Sequence, residues 1–399
     1  MLLVGWDLSD GAGMLTNMTL HEAATLHDAM ATRVEHGEFP GIVTLVARGD
    51  EVSVDAIGAT AFGGDVPMRR DTIFRIASMT KPVVAVAALI LAEADVLDLE
   101  EPVAKLLPEL AGQRVLARID GPLDETVPLE RPVTIEDVLT FRMGFGLILE
   151  PMDPVWPIVA AGAQRQLVLG EPDPRTPHDP DEWVRLFGEL PLMCQPGSRW
   201  QYNAGSLVLG VLLARAAGKP LGDLLRERIF EPLGMSDTGF WLPAEKAVQL
   251  PAHYVKGEER FGSGAEVWSS PPVFPSGAGG LVSTVDDFHA FGRMLLDGGV
   301  HGGTRLLSEK SVDLMTRNHL TADQIGAAGL LGGAGWGLGV AVTVKPDEIS
   351  GPGRYGWSGG YGTTWFNEPG ERLTGIAMTQ VSDFLWSGAV PEFGKLAVA

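Results

Sequence analysis

Runs with the character of β-strands lie near the two ends of this chain, with helical patterning between them, and no other feature constrains the fold as much. Ile42–Ala47 and Glu51–Ile57 are β-rich and separated by Arg48-Gly49-Asp50, a hairpin signal. Toward the other end, Gly337–Val344, Thr363–Asn367 and Leu373–Thr379 again read as strands, the last two joined across Glu368-Pro369-Gly370-Glu371. Helices are expected at Leu20–Arg33, Ser78–Ala94, Thr134–Thr140, Ser206–Ala217 and Leu221–Ile229. Another runs from Thr284 to Leu296, with Thr284 and Asp287 as an N-cap pair. The termini are therefore expected to build one sheet, with an α/β lobe from residues 1–75 and 270–399. Residues 76–269 then form a mainly helical lobe, and the cleft between lobes is a common place for a site. Seven prolines between Pro151 and Pro180 predict an irregular segment draped over the surface or the cleft.

Composition narrows the function classes. With 30 Lys plus Arg against 51 Asp plus Glu, the formal charge of −21 opposes binding to a phosphate backbone. The longest apolar runs fall short of the ~20 residues that cross a bilayer. Met1–Asp7 has no basic region followed by a long apolar one, so a cytoplasmic location without membrane attachment is expected. One cysteine, Cys194, excludes an intramolecular disulfide framework and any multi-cysteine metal site.

The strongest chemical signal is Ser78-Met79-Thr80-Lys81 at an expected helix start. Residues three apart share a helical face, so the hydroxyl and the amine can meet. Serine needs a neighbouring base, and a lysine whose pKa is lowered by desolvation can be one. The four-residue pattern alone is a common chance match. Tyr202, within Pro196-Gly197-Ser198-Arg199-Trp200-Gln201-Tyr202-Asn203-Ala204, sits at a loop-to-helix junction where a phenol could enter a cleft. Gly356-Trp357-Ser358-Gly359-Gly360-Tyr361-Gly362 precedes a strand, and its glycines permit close approach of backbone to a ligand.

In this order and spacing the three stretches resemble the serine β-lactamase-like superfamily: class C β-lactamases, penicillin-binding D,D-peptidases and, most closely, family VIII carboxylesterases. Phe74-Arg75-Ile76-Ala77, Ile229–Thr238 and Gly277–Thr284 strengthen the likeness, which extends from about Leu20 to the C-terminus. The resemblance implies an antiparallel sheet flanked by helices, packed against a helical lobe. It implies Ser78 as acyl-accepting nucleophile, with Lys81 and Tyr202 sharing proton transfer. It further implies an oxyanion hole from the N–H groups of Ser78 and Gly360, and substrate contacts from Trp357, Ser358 and Gly359. Three departures stand out. Ala204 occupies the position of the β-lactamase asparagine, with Asn203 one place early, and Trp357 replaces the lysine that helps bind a substrate carboxylate. Phe141-Arg142-Met143-Gly144 stands where a His-Thr-Ser-Gly-like turn is usual.

Competing motifs carry less. Gly356-x-Ser358-x-Gly360 has the form of an α/β-hydrolase nucleophile elbow, but no histidine follows His319 and the pattern leads into a strand. Gly351–Gly356 has the form GxGxxG without a strand–helix context, and reads as a turn. His21 and His27 do not share a helical face, and Cys194 has no histidine nearby in sequence. The expectation is a cofactor-free, metal-free hydrolase of small-molecule, short-chain carboxylic esters acting through an acyl-enzyme. β-Lactamase, D,D-peptidase, amide hydrolase and acyltransferase are the alternatives on this fold, and an inactive binding module is the non-enzyme alternative. Oligomeric state is not legible in the sequence.

Overall fold

The structure, a computed structural model, describes residues 20–148, 154–170, 172–262, 264 and 266–399. The reading of Met1–Asp7 lies outside the described residues, as do parts of the proline-rich segment. Seven strands form one antiparallel sheet: β1 (Gly41–Arg48), β2 (Glu51–Gly58), β3 (Gly335–Trp336), β4 (Ala341–Val342), β5 (Tyr355–Gly359), β6 (Thr363–Glu368) and β7 (Leu373–Met378). Their spatial order is β3-β4-β5-β6-β7-β1-β2, so the two ends of the chain do meet, with Val43 opposite Met378 and Arg48 opposite Leu373.

Both faces of the sheet are covered, and the alternation of side chains shows how. Ile42 and Val46 of β1 point toward Phe366, Leu373, Phe393 and Met30, under α1 (Leu20–Glu35) and the C-terminal helix Ala389–Val398. Val43, Leu45 and Ala47 point the other way, into the main core with Phe288, Phe291, Trp365 and Ile376. A strand buried on both faces reads as a continuous apolar run, which is why β1 lacks polar alternation. β2, at the edge, is largely exposed.

In the middle of the chain, α2 (Thr80–Glu93) is buried from Thr80 to Leu91 and packs on α3 (Ala204–Ala217). A helix buried all round is apolar all round, and this explains the Ala/Leu/Val texture of the sequence after Ser78. No single described helix is long and apolar enough to cross a membrane.

Several expectations need correction. α2 starts at Thr80 rather than Ser78, because Ala77–Met79 forms a 3₁₀ turn with Ala77 at φ +43°. The run Gly337–Val344 is not one strand. It is broken by a turn in which the Gly337 N–H donates to the Val340 carbonyl, leaving the two-residue strands β3 and β4 on either side. The helix over Leu221–Ile229 passes at Arg226 into a π-turn through Phe230. The proline-rich segment contains a helix, Pro157–Gln164, which starts on a proline at its first position. Thr284 does cap α4 (Val285–Leu296), its hydroxyl accepting from the Asp287 N–H at 3.1 Å. The Asp287 carboxylate turns instead to the Asp237 N–H at 2.8 Å and the Thr238 hydroxyl at 2.9 Å.

Burial raises the Asp287 carboxyl to about 6, against its two hydrogen bonds. A carboxyl with a raised folded pKa contributes stability that is complete below the unfolded value, ~3.9, and is lost as pH rises through the folded one. The melting temperature is therefore expected to carry a downward component between pH ~4 and about 6 that Asp287→Asn removes. Parallel profiles for the two proteins would contradict the assignment.

Candidate active site

Three segments converge on one cavity of about 650 Å³ whose lining includes Ser78, Tyr202, Trp357, Ser358 and Gly360. Ser78 sits in the 3₁₀ turn and Lys81 one turn further on, in the first turn of α2, and their Oγ and Nζ atoms lie 3.0 Å apart in hydrogen-bond contact. Lys81 is 1% exposed, donates to the Ala278 carbonyl at 2.6 Å, and has its Nζ 4.6 Å from the centre of the Tyr202 ring. Among the described residues no carboxylate pairs with it. A buried ammonium without a counter-charge is costly, so desolvation holds the Lys81 pKa well below the usual lysine value.

Tyr202 has the opposite problem, because burial penalises a phenolate. Its pKa is pushed up to about 12, although hydrogen bonds from Ser78 and Trp357 act to lower it. Burial thus shifts the two groups in opposite senses, easing loss of the ammonium proton and opposing loss of the phenolic one.

An aromatic cluster holds the phenol in place. Trp200 stacks on Tyr202 at 5.8 Å, Phe141 meets it edge-on at 5.7 Å, and Trp336 stacks on Phe141 at 4.8 Å. Trp357 packs edge-on against Trp336 at 4.8 Å, and its indole N–H donates to the Tyr202 hydroxyl at 2.9 Å. This gives a physical account of the unusual Phe141-Arg142-Met143-Gly144 stretch, whose phenylalanine builds the wall behind Tyr202. Trp357 lines the cavity as expected, but its one donor is committed to the phenol.

The strand end reaches Ser78 through glycine. A Cβ on Gly359 would lie 2.2 Å from the Ile76 carbonyl oxygen, so only glycine lets β5 come this close to the turn carrying Ser78. Thr363 reinforces the approach, its hydroxyl donating to the Ile76 carbonyl at 3.2 Å. Neither the Ser78 nor the Gly360 N–H has a backbone acceptor among the described residues. Both residues face the cavity, an arrangement able to receive a developing oxyanion.

Sequence reasoning missed how the proline-rich segment is tied to this wall. The Asn203 amide, on backbone at φ +81°, donates to the Leu169 and Gly170 carbonyls at 2.7 and 2.9 Å, and the Tyr361 hydroxyl donates to the Pro172 carbonyl. Gly170 and Pro172 do line the cavity, whereas Trp183 is buried in the core with its N–H on the Leu167 carbonyl at 2.9 Å. Trp200, Trp336, Leu330 and Trp386 were also missed. The tryptophans were visible as residues, but nothing in their spacing joined them to Tyr202.

The competing motifs lack the context their chemistry needs, although Ser358 lines the cavity. Ser358 lies within β5, its hydroxyl 2.8 Å from that of Thr364, and not on a strand-to-helix turn. The Cys194 thiol donates to Gln201 Oε1 at 3.2 Å and is pushed to higher pKa by burial. His27 faces Asp55 at 2.6 Å on the exposed surface.

With the geometry established, comparison with known proteins places the fold among serine hydrolases of β-lactamase type. The family model described as Beta-lactamase matches residues 26–392, and the chain belongs to that family. It is 36% identical over 359 residues to protein Rv1367c of Mycobacterium tuberculosis, covering 86% of each chain. It is 29% identical over 390 residues to esterase EstB of Burkholderia gladioli, covering 92% of this chain and 91% of that one. Among solved structures, EstCE1, described as a hydrolase with promiscuous acyltransferase activity, superposes with a TM-score of 0.78. The identity there is 23%, and 95% of this chain and 99% of EstCE1 are covered.

Two outcomes test this geometry. Covalent labelling of Ser78 by a fluorophosphonate, followed by mass spectrometry, is expected to fall off on acidification with a midpoint well below the ordinary lysine value. A titration centred near the ordinary ~10.4 would contradict a desolvated amine. Trp357→Phe keeps an aromatic ring but removes the donor to Tyr202. If chemistry runs through that phenol, the variant should lose about tenfold in kcat with little change in KM, the lower end of a hydrogen bond to a developing charge.

Proposed function

We propose that this protein hydrolyses uncharged carboxylic esters through an acyl-enzyme on Ser78. One observation carries the reading: none of the described side chains lining the cavity around Ser78 carries a charge at neutral pH. β-Lactams and D-Ala-terminated peptides bear a carboxylate beside the scissile bond, and desolvating it without a cationic partner is costly. Neither Arg142 nor Arg354 supplies one. Arg142 pairs with Glu136 at 3.1 Å, and Arg354 stacks on Phe366 outside this cavity. The likeness to a protein named an esterase agrees with the reading.

In the proposed mechanism Ser78 Oγ attacks the ester carbonyl while its proton passes to the neutral Lys81 amine. The carbonyl oxygen, now an oxyanion, is received by the Ser78 and Gly360 N–H groups, donors worth ~2.7–4 kcal/mol each in measured enzymes. As the tetrahedral intermediate collapses, the bond to the leaving alkoxide breaks. Tyr202 gives that alkoxide its proton and recovers one from the Lys81 ammonium. Water then attacks the acyl-serine, losing a proton to the same pair and restoring the Ser78 hydroxyl. An alcohol in place of water would give acyl transfer by the same steps.

Short p-nitrophenyl esters are expected to be turned over with kcat/KM at least ~100-fold above that for nitrocefin, a difference of ~2.7 kcal/mol at the transition state. Ser78→Ala should abolish both turnover and labelling. Equal turnover of ester and nitrocefin would move the reading to β-lactamase, and labelling at Ser358 would overturn the nucleophile.

A further inference from the structure

A second cavity, of about 340 Å³, lies along β5 and shares Trp357, Ser358 and Val390 with the cavity around Ser78. Its far end is formed by Arg354, just before the strand. From Gly359, beside the Ser78 turn, to Arg354 is a span of about 16 Å at ~3.3 Å per residue of strand.

Arg354 is unusual among the arginines here. It is 8% exposed, its guanidinium lies 3.4 Å from the centre of the Phe366 ring, and one N–H donates to the Ile349 carbonyl. A guanidinium has five N–H donors, and no carboxylate of the described residues forms an ion pair with this one. The two nearest acids are otherwise engaged. Asp347 accepts from the Ile349 and Ser350 N–H groups, both at 2.8 Å, and Glu368 from the Gly351 N–H at 3.0 Å. Burial lowers the Arg354 pKa to about 10, against the attraction of the Glu368 and Asp347 carboxylates, which leaves it charged at neutral pH. A largely buried cation with open donors, facing a cavity walled by Ala341, Val342, Ile349 and Phe393 together with Thr343 and Asp347, can receive an acceptor at the end of an apolar arm.

We propose that this cavity is a distal subsite of the same reaction, taking one arm of an ester whose far end bears a carboxylate that pairs with Arg354. The inference rests on the ester-hydrolysis reading and names its substrate class: long esters, uncharged at the reacting carbonyl and anionic at one remote terminus. Planar bidentate pairing with a carboxylate is what a guanidinium does best. Repulsion from the more distant acidic surface is screened over ~8 Å at physiological ionic strength, and near the site the Arg354 cation has Asp347 and Glu368 to outweigh.

The test compares, within each protein, esters of equal length that end in a carboxylate or a methyl group. One series varies the acyl arm of p-nitrophenyl esters and the other the alcohol arm of acetate esters, so the two distinguish which arm enters the subsite. In the unmodified protein the ratio of kcat/KM, carboxylate over methyl, is expected to rise about tenfold or more in one series as the arm becomes long enough to reach Arg354. Arg354→Met should return that ratio to its short-arm value, and Ala341→Trp, which fills the cavity while keeping the guanidinium, should do the same. Ratios taken within one protein cancel any loss of folded material. Failure to hydrolyse p-nitrophenyl acetate would sink the ester reading and the subsite with it. If acetate is hydrolysed but neither series shows a rise that the two variants abolish, the subsite alone is wrong.

Discussion

Ala77, immediately before Ser78, holds a left-handed backbone that costs an L-residue roughly 1–2 kcal/mol. Such strain persists only where the surroundings over-determine it, and here the two residues before it are gripped. Gln380 pairs with the Arg75 backbone on both sides, its Oε1 accepting the N–H at 3.1 Å and its Nε2 donating to the carbonyl at 3.3 Å. The Ile76 N–H donates to the Leu281 carbonyl at 3.0 Å, while the Ile76 carbonyl receives Thr363 and lies against Gly359. The strained turn is thus bolted to the sheet and to the Gly280–Leu281 segment, and the direction in which Ser78 points is set by those contacts. Without them α2 could begin at Ser78, and the hydroxyl would be carried round the helix with it.

The same arrangement explains why a lysine can be buried here. Its Nζ is met by a hydroxyl, a carbonyl and an aromatic face, none of which carries a compensating negative charge. These groups satisfy the hydrogen bonds of an amine without neutralising an ammonium, so the environment selects the unprotonated form. The phenol beside it is selected neutral by the same low polarity. Burial thus drives the two groups apart, lowering the pKa of the amine and raising that of the phenol.

Much of this was legible without coordinates, for identifiable reasons. Ser78 and Lys81 are three residues apart, so local spacing keeps the pair close, while the contacts on the preceding turn set where the hydroxyl points. The hairpin across Arg48-Gly49-Asp50 and the Thr284 cap are likewise local, and both formed where expected. The errors share a cause. Gly337–Val344 has strand composition, yet it turns so that Gly339 can pass the Lys81 carbonyl, where a Cβ would lie 3.1 Å away. Asp287 looked like half of a cap pair and instead serves Asp237 and Thr238 some fifty residues earlier. In each case a distant contact outweighed a local preference.

By itself the sequence determined the chemistry-bearing residue types, the helix that carries Lys81 just after Ser78, and the joining of the strands near the two ends in one sheet, because each follows from spacing or from the need to bury an apolar face. Only the tertiary structure decided which side chains surround them. Phe141, Trp200, Trp336 and Trp357 are far apart in the chain, and their gathering around Tyr202 depends on the packing of β3, β4 and β5 against the turn that precedes α3. The commitment of the Trp357 N–H to that phenol, and the turning of Arg354 into a cavity of its own, are likewise properties of packing. Burial and hydrogen-bond partners are set by neighbours in space, and no spacing along the chain encodes them.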